Sequence, residues 1–278
     1  NHTLVISYQN VGISNSPFTI EVLNSLVSSK ISTVTYDMSD LKSGSTQDFY
    51  IYTRDLYGNL MQNFYGTFSV LLSGPSSITG TPLATSDLGI YVFSLKPTVS
   101  GSYRLSVQLM KSHISGSPMN LTVIAGMASA PRCSIESFPN IGTVGVASSI
   151  YFQARDSYNN KISSGGDIFL ADITDPKFAR TIVVPADLNN GMYRLTFASS
   201  VKGRHNITIT LGGSHIFGSP LGIQIDSGAL DSGQTLIVFR SSAEAGTPQR
   251  ISVLPRDAYA NEKSQADLTL YAFTLASS

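Results

Sequence analysis

The sequence has no tryptophan, a single cysteine (Cys133) and few charged side chains. One cysteine cannot form an intrachain disulfide, and it cannot supply a Cys-x-x-Cys metal or redox site. The absence of tryptophan and of a cysteine pair also excludes the Cys…Trp…Cys pattern of antibody domains. We therefore expect Cys133 to be an ordinary strand residue.

Charge of either sign is scarce and balanced. Charged residues make up 13% of the 278 residues, against about 25% in an average soluble domain. The 18 basic and 18 acidic side chains cancel, so no excess of one sign is available to attract nucleic acid or an anionic membrane. No run approaches the roughly 18 consecutive apolar residues of a membrane-spanning helix. Neither nucleic-acid binding nor membrane insertion is expected within this segment.

The sequence repeats itself with a period of about 100 residues. The pattern Arg-Asp-x-Tyr-x-Asn occurs three times, and its aspartates are 101 residues apart both times, from 55 to 156 and from 156 to 257. A Ser-Pro pair followed by an apolar residue recurs with nearly the same step, at Ser16, Ser117 and Ser219. Solenoid units have only about 20 to 50 residues. A period this long indicates that each copy buries its own core.

Within each copy, apolar and polar residues alternate with the period of two that is typical of a strand with one buried face. Phe49 and Ile51 alternate with Tyr50, and Ile150 and Phe152 repeat the pattern in the next copy. No stretch shows a helical stripe with caps. About seven short strands per 100 residues, separated by Gly, Pro, Asn and Ser turns, predict an all-β fold in which each copy is an immunoglobulin-like sandwich.

The phase of the repeat predicts the domain boundaries. Residues 1–24 are expected to hold the last two strands of one domain, and residues 227–278 the first strands of a further one. Residues 30–125 and 130–226 are expected to form complete domains. Because half a sandwich would expose unpaired edges, we expect the sequence to be cut from a longer array. Short linkers favour a semi-rigid rod of tandem domains over a flexible string.

Four short patterns recur in the same order in both complete copies. In the first copy they are Asp55 to Asn59, Gly89 to Tyr91, Gly101 to Tyr103 and Ile114 to Met119, and the second copy has His205 where the first has Tyr103. In this order and spacing, the chain resembles filamin-type (filamin/ABP280) immunoglobulin-like repeats over essentially its whole length.

The resemblance implies a non-catalytic module that is used in series and needs no cofactor. Cytosolic members of the family crosslink actin and bind partner peptides by adding a strand to an exposed sheet edge, and similar repeats occur in cell-surface proteins. Main-chain groups on an open edge give affinity without special side chains. By analogy, the open edge is expected near Thr67–Leu72 in the first complete copy and near Asp167–Ala171 in the second.

The aspartate and asparagine of each Arg-Asp-x-Tyr-x-Asn pattern admit two interpretations. Clustered oxygens could hold calcium, but each pattern has only one carboxylate, and Asp and Asn favour turns by hydrogen-bonding nearby backbone amides. No phosphate loop and no nucleophile with a plausible base is visible, so no catalytic activity is expected. We predict structural turns rather than metal sites at Asp55 and Asn59, Asp156 and Asn160, and Asp257 and Asn261.

Three Asn-x-Ser/Thr sequons begin at Asn1, Asn120 and Asn206. Strand alternation places Asn120 between inward-facing residues, and the same holds for Asn206, so both should face solvent where an N-linked glycan could attach. Together with the low lysine and glutamate content, these sequons favour an exported protein.

Three functions remain open from the sequence, the third being a helical filament in which neighbouring chains complete each other's sandwiches. The first is an extracellular or cell-surface structural and adhesive rod, whose partners are cell-surface proteins or further copies of itself in a fibre. The second is a cytoplasmic scaffold that captures partner peptides by strand addition and links them to actin. N-linked glycans on these asparagines would establish that the protein is extracellular or at the cell surface.

Overall fold

Short strands make up nearly all the regular structure of the chain. A computed structural model describes residues 1–37, 40–64, 66–242 and 244–263, and the chain divides into two units, Asn1–Gly126 and Met127–Ser278. The predicted segment 227–278 extends into residues 264–278, which lie outside the described residues. In the described ranges, no helix has the length and apolar character needed to cross a membrane.

The described residues of the first unit form fourteen strands, most of them two to six residues long. They are β1 (His2–Leu4), β2 (Ser7–Tyr8), β3 (Val11–Gly12), β4 (Phe18–Ile20), β5 (Thr33–Tyr36), β6 (Leu41–Lys42), β7 (Gln47–Tyr52), β8 (Phe68–Ser73), β9 (Ser77–Gly80), β10 (Leu83–Ala84), β11 (Ile90–Leu95), β12 (Gly101–Leu109), β13 (Ser112–His113) and β14 (Met119–Ile124).

Strands β5 to β14 form the two sheets of a sandwich. One sheet has the order β10-β11-β7-β5, and the other has the order β6-β14-β12-β8-β9, with β13 paired to β12. Alternate residues of β7 and β12 face the space between the sheets, where Phe49, Ile51, Tyr103 and Leu105 are buried. The rings of Phe49 and Phe93 stack there with centroids 5.1 Å apart. The predicted immunoglobulin-like sandwich is confirmed in this copy.

Near its start the second unit has a short 3-10 helix, Ala130–Arg132, and the rest of its described residues, up to residue 263, form twelve strands. They are β15 (Ser134–Ser137), β16 (Ile141–Thr143), β17 (Ser148–Gln153), β18 (Phe169–Thr174), β19 (Arg180–Val183), β20 (Ala186–Asp187), β21 (Met192–Phe197), β22 (Gly203–Leu211), β23 (Ser214–His215), β24 (Leu221–Asp226), β25 (Leu236–Val238) and β26 (Ser252–Leu254).

Strands β15 to β24 repeat the sandwich of the first unit. The sheets have the orders β15-β17-β21-β20 and β16-β24-β22-β18-β19, and β23 pairs with β22. The rings of Phe152, Phe169 and Tyr193 pack on one another at the centre, with centroids 4.6 to 5.6 Å apart. Each sandwich thus closes a core of its own, as the long period predicts.

Two of the recurring sequence patterns have specific structural roles: the glycine that precedes β11 and β21, and the serine of the Ser-Pro pair. Gly89 and Gly191 have φ values of 79° and 77°, and a Cβ at Gly191 would lie 1.8 Å from the carbonyl oxygen of Ile162. In the Ser-Pro pattern, the serine hydroxyl accepts a hydrogen bond from a backbone N–H ten residues earlier, at 2.7 Å for Ser117 and 2.8 Å for Ser219. Both patterns therefore maintain backbone geometry at the ends of strands.

Residues 1–24 form two small sheets rather than a sandwich. β1 pairs with β4, and β2 pairs with β3, in the places that the period assigns to β12, β13 and β14 of the next copy. Ser16 repeats the serine contact, accepting from the N–H of Ile6 at 3.0 Å. The side chains of β1 to β4 are exposed. The exact domain boundaries remain a prediction.

The prediction of open sheet edges at Thr67–Leu72 and Asp167–Ala171 is wrong. β8 lies between β12 and β9, and β18 lies between β22 and β19. After β18, the carboxylate of Asp175 accepts the N–H groups of Lys177 and Ala179, so the chain turns back and pairs along the strand that was expected to be open. On this side of the two sheets, the outermost described strands are β9 and β19.

Candidate functional site

The turn that follows β7 is built around one carboxylate. Oδ1 of Asp55 accepts the backbone N–H groups of Tyr57 and Asn59, both at 2.9 Å. The side-chain amide of Asn59 donates to Oδ2 at 3.0 Å, and the N–H of Ser25, in the segment that leads into the sandwich, donates to Oδ2 at 3.1 Å. One aspartate therefore orders both the turn and the incoming chain.

The other two copies of the turn have the same internal contacts. Asp156 accepts from the N–H of Asn160 at 2.9 Å and from its side-chain amide at 2.8 Å. Asp257 accepts from the same groups of Asn261 at 2.9 and 3.0 Å, and from the N–H of Gly228 at 2.9 Å. The sequence predicted the internal turn, but nothing in it indicated the contact with the incoming chain, which is 29 or 30 residues away.

Hydrogen bonding keeps Asp55 and Asp257 ionised. Burial raises the pKa of Asp55, but the bonds from the Asn59 side chain and from three backbone N–H groups outweigh it and lower the pKa to about 2. The same causes lower the pKa of Asp257. Among the residues that the structure describes, no group of three His, Cys, Asp or Glu side chains could hold a metal ion.

The predicted glycan acceptors lie on the surface. Asn120 is exposed on β14 and Asn206 is exposed on β22, each between residues that point inward. Asn1 is also exposed. The side-chain amides are therefore accessible from solvent, and their modification remains a prediction.

The outer face of β18 and β19 in the second sandwich exposes two large apolar side chains, whereas the equivalent face of the first sandwich exposes one, Leu71. Leu170 and Ile182 are exposed on these strands, and Asp172 pairs with Arg180 beside them. The strand register places Thr79 of the first sandwich where Ile182 lies in the second. The two complete copies thus share a fold but present different surfaces at this edge.

A cleft of about 380 Å³ opens beside His205 in the second sandwich. In the first sandwich the equivalent residue, Tyr103, extends its hydroxyl to the carbonyl oxygen of Val99 at 2.8 Å and to the hydroxyl of Ser76 at 2.9 Å. His205 is shorter, and its two ring nitrogens lie 2.8 Å from the hydroxyl of Ser199 and 3.1 Å from a backbone carbonyl oxygen. The imidazole is fully occupied and offers no free polar atom to a ligand.

Two further titratable groups lie near the core of the second sandwich. Burial raises the pKa of Asp167, and the nearby charge of Asp187 raises it further. Burial also raises the pKa of the Cys133 thiol, which is completely enclosed. A buried thiol of raised pKa is a poor nucleophile, so Cys133 acts as a packed side chain. The prediction that it is a strand residue is wrong, because it lies between the 3-10 helix and the start of β15.

A family model matches both complete copies. The filamin/ABP280 repeat model matches residues 27–120 and 127–222, which is more than half of the chain. Filamin-A of Drosophila melanogaster is 25% identical over 236 residues, which are 84% of this chain and 10% of the relative. Filamin-C of Rattus norvegicus is 23% identical over 228 residues, or 81% of this chain and 8% of the relative. The chain thus spans about a tenth of the length of these relatives.

Two solved structures share the arrangement of strands. FdeC, an Escherichia coli adhesin, superposes with a TM-score of 0.60 at 17% identity, over 86% of this chain and 77% of that one. InvD of Yersinia pseudotuberculosis superposes with a TM-score of 0.50 at 23% identity, over 85% of this chain and 73% of that one. These likenesses concern the fold, whereas the repeat model concerns the sequence, and on that ground the chain belongs to the filamin/ABP280 repeat family.

Proposed function

We propose that this chain is part of a non-catalytic, adhesive rod at the cell surface or outside the cell. The observation that carries the proposal is the recurrence of sandwiches that each close their own core and follow one another through linkers of a few residues. Such modules span distance and present their faces and loops to other proteins, with no need of a catalytic constellation. The partners are proteins, either on another cell or in further copies of the rod.

Three features of the chain support this function over an intracellular one. The surface is rich in hydroxyl groups and poor in charge, with 13% charged residues. Asn120 and Asn206 are exposed in Asn-x-Thr sequons on strands that are otherwise well packed. The adhesin FdeC has the same kind of fold, so the architecture is suited to adhesion, although the likeness by itself concerns only the fold.

The modification state of the asparagines in native material tests the proposal. We expect peptides that contain Asn120 or Asn206 to carry an N-linked glycan, and conversion to aspartate by a glycosidase to add about 1 Da at that residue. Asn120→Gln and Asn206→Gln variants should each lose one glycan and retain the other. Protease added to intact cells should remove the protein. Unmodified asparagines together with full protection from the protease would contradict export.

A second candidate is a cytoplasmic scaffold that binds peptides by strand addition. It is favoured by the edge strands β9 and β19, each of which has, among the strands that the structure describes, a hydrogen-bonded neighbour on one side only. An extended peptide could pair with the free side through main-chain groups. The glycan experiment also decides here, because only the cytoplasmic scaffold predicts unmodified asparagines in native material.

A further inference from the structure

The end of the second sandwich is bound to the start of the following repeat by a side-chain amide. Asn261 closes the third Arg-Asp-x-Tyr-x-Asn turn, and its Oδ1 accepts the backbone N–H of Lys202 at 3.0 Å. Its Nδ2 donates to the carbonyl oxygen of Ser200 at 2.9 Å. The carboxamide thus pairs with the loop between β21 and β22 through one acceptor and one donor, much as a neighbouring strand would.

Only an amide of this length can make both contacts. An aspartate has no donor for the carbonyl oxygen of Ser200, and an apolar residue has neither group. The same Nδ2 also donates to the carboxylate of Asp257, which fixes the orientation of the carboxamide. The contacts in the loop are with backbone atoms, so the loop needs a particular shape rather than a particular sequence.

Two neighbouring contacts reinforce the junction. The ammonium group of Lys202 donates to the carbonyl oxygen of Glu262 at 2.9 Å. The ring of Tyr259 lies against Gly145, where a Cβ would be only 2.9 Å from the ring carbon Cε2. The turn is therefore held at its tyrosine and at its asparagine, on two separate loops of the preceding sandwich.

A comparable pairing occurs at the start of the first sandwich. Nδ2 of Asn24 donates to the carbonyl oxygen of Leu60 at 2.9 Å, and its Oδ1 accepts the N–H of Gln62 at 2.9 Å. Asn24 is the last residue of the segment that the period assigns to the preceding domain. Here too, a carboxamide joins the end of one repeat to the start of the next.

We propose that the Arg-Asp-x-Tyr-x-Asn turn is a junction clamp, in which Asn261 holds its repeat at a fixed angle to the loop from Ser200 to Lys202. The ligand of the clamp is the backbone of the preceding repeat. This inference rests on the proposed rod, because a fixed angle between repeats is what makes a string of sandwiches stiff. A longer array would carry one such turn in each repeat.

Spin-label distance measurements across the junction test the clamp. Labels attached at Ser214→Cys on β23 and Ile237→Cys on β25, both exposed sites, report the distance between the second sandwich and the following segment. Cys133 is buried, so labelling at the introduced cysteines is selective. The otherwise unchanged chain should give one narrow distance peak. Adding Asn261→Ala should cause the loss of that single peak and a broad distribution in its place.

A matched control separates the clamp from the turn itself. Asn59→Ala removes the same internal hydrogen bonds from the first turn. The rate of hydrogen exchange at the N–H of Tyr57 then shows how far a turn is destabilised when it loses its asparagine. This variant should leave the junction peak narrow.

A second variant covers the case in which Asn261→Ala also unfolds its turn. Lys202→Pro removes the backbone N–H that Oδ1 of Asn261 accepts while leaving the internal hydrogen bonds of the turn in place, and it should broaden the peak; Lys202→Ala keeps that N–H and should broaden the peak less. An unchanged narrow peak in Asn261→Ala, or in Lys202→Pro where the first variant has lost its turn, would overturn the clamp. Neither result would bear on export, which the glycans report separately.

Discussion

Replacing Gly191 by alanine should destabilise the second sandwich more than the same replacement at a glycine with free space around the position of a Cβ. Gly191 has a φ of 77°, and its carbonyl oxygen accepts the N–H of Ala154 at 2.8 Å and the side-chain amide of Gln153 at 2.9 Å. A Cβ at this position would lie 1.8 Å from the carbonyl oxygen of Ile162. Moving residue 191 would break its bonds from Ala154 and Gln153. Moving Ile162 would break the bond that its carbonyl oxygen accepts from the Gln153 side chain.

The expected cost has two parts. A left-handed conformation costs a residue with a Cβ roughly 1–2 kcal/mol relative to glycine, and forced repacking around the inserted atom costs about 1–3 kcal/mol more. Gly213 provides the matched control, because it has a φ of 80° and nothing within 4 Å of the position of a Cβ. Gly213→Ala should therefore show only the conformational part, about 1–2 kcal/mol.

Hydrogen exchange of the β21 amides, measured in increasing urea, isolates the stability of this sandwich from that of the rest of the chain. Gly191→Ala should lower the free energy of unfolding by about 1–3 kcal/mol more than Gly213→Ala, in line with the repacking part. Equal losses in the two variants would refute the reasoning, since they would mean that the carbonyl oxygen of Ile162 does not restrict this position.

Three further changes have defined outcomes. Asp55 has a pKa of about 2 in the folded chain against an ordinary 3.8. Its ionised form therefore stabilises the fold above pH 3.8, and this stabilisation is lost as the pH falls toward 2. Urea titrations between these pH values should show that the free energy of unfolding falls less in Asp55→Asn than in the unchanged chain. Ser219→Ala leaves the N–H of Ile209 without its acceptor and should cost about 1–3 kcal/mol of unfolding free energy, whereas Ser214→Ala on the exposed β23 should stay within about 0.5 kcal/mol. Tyr103→Phe removes both hydrogen bonds of the phenol and should lower the free energy of unfolding of the first sandwich by about 1 kcal/mol, measured by the same titration.

The fold was predictable because the buried residues are periodic. Phe49 and Ile51 alternate with outward-facing residues, and the same alternation returns about 100 residues later at Ile150 and Phe152. Such a pattern identifies a strand with one buried face wherever it occurs. The period then gives the number of cores, because each copy is long enough to enclose its own.

The sheet edges could not be predicted in the same way. Strand β9, Ser77–Gly80, is short and lacks a run of apolar residues, so its sequence gives no strand signal of its own. It forms because the chain reverses after β8 and finds a partner there. The analogy that assigned the open edge to β8 was therefore wrong because it did not include this turn, in which a few residues decide which strand is outermost.

The junction contacts were also invisible in the sequence. Asn261 was predicted as a turn residue, but its second role depends on backbone atoms about 60 positions away. The cleft beside His205 is lined by residues distant in the sequence, such as Ile173 and Val183. In both cases the missing information was the position of a distant backbone, which no local pattern contains.

Force spectroscopy on the intact chain tests most directly whether the hundred-residue period marks separate sandwiches. Two complete domains of about 95 residues should unfold one at a time. Each should add roughly 300 Å of contour length, since 95 extended residues span about 310–340 Å and the folded domain already spans a small part of that. Two such steps of nearly equal length would agree with the account. A single step of about twice that length would contradict it, because it would show that residues 30–226 share one cooperative core.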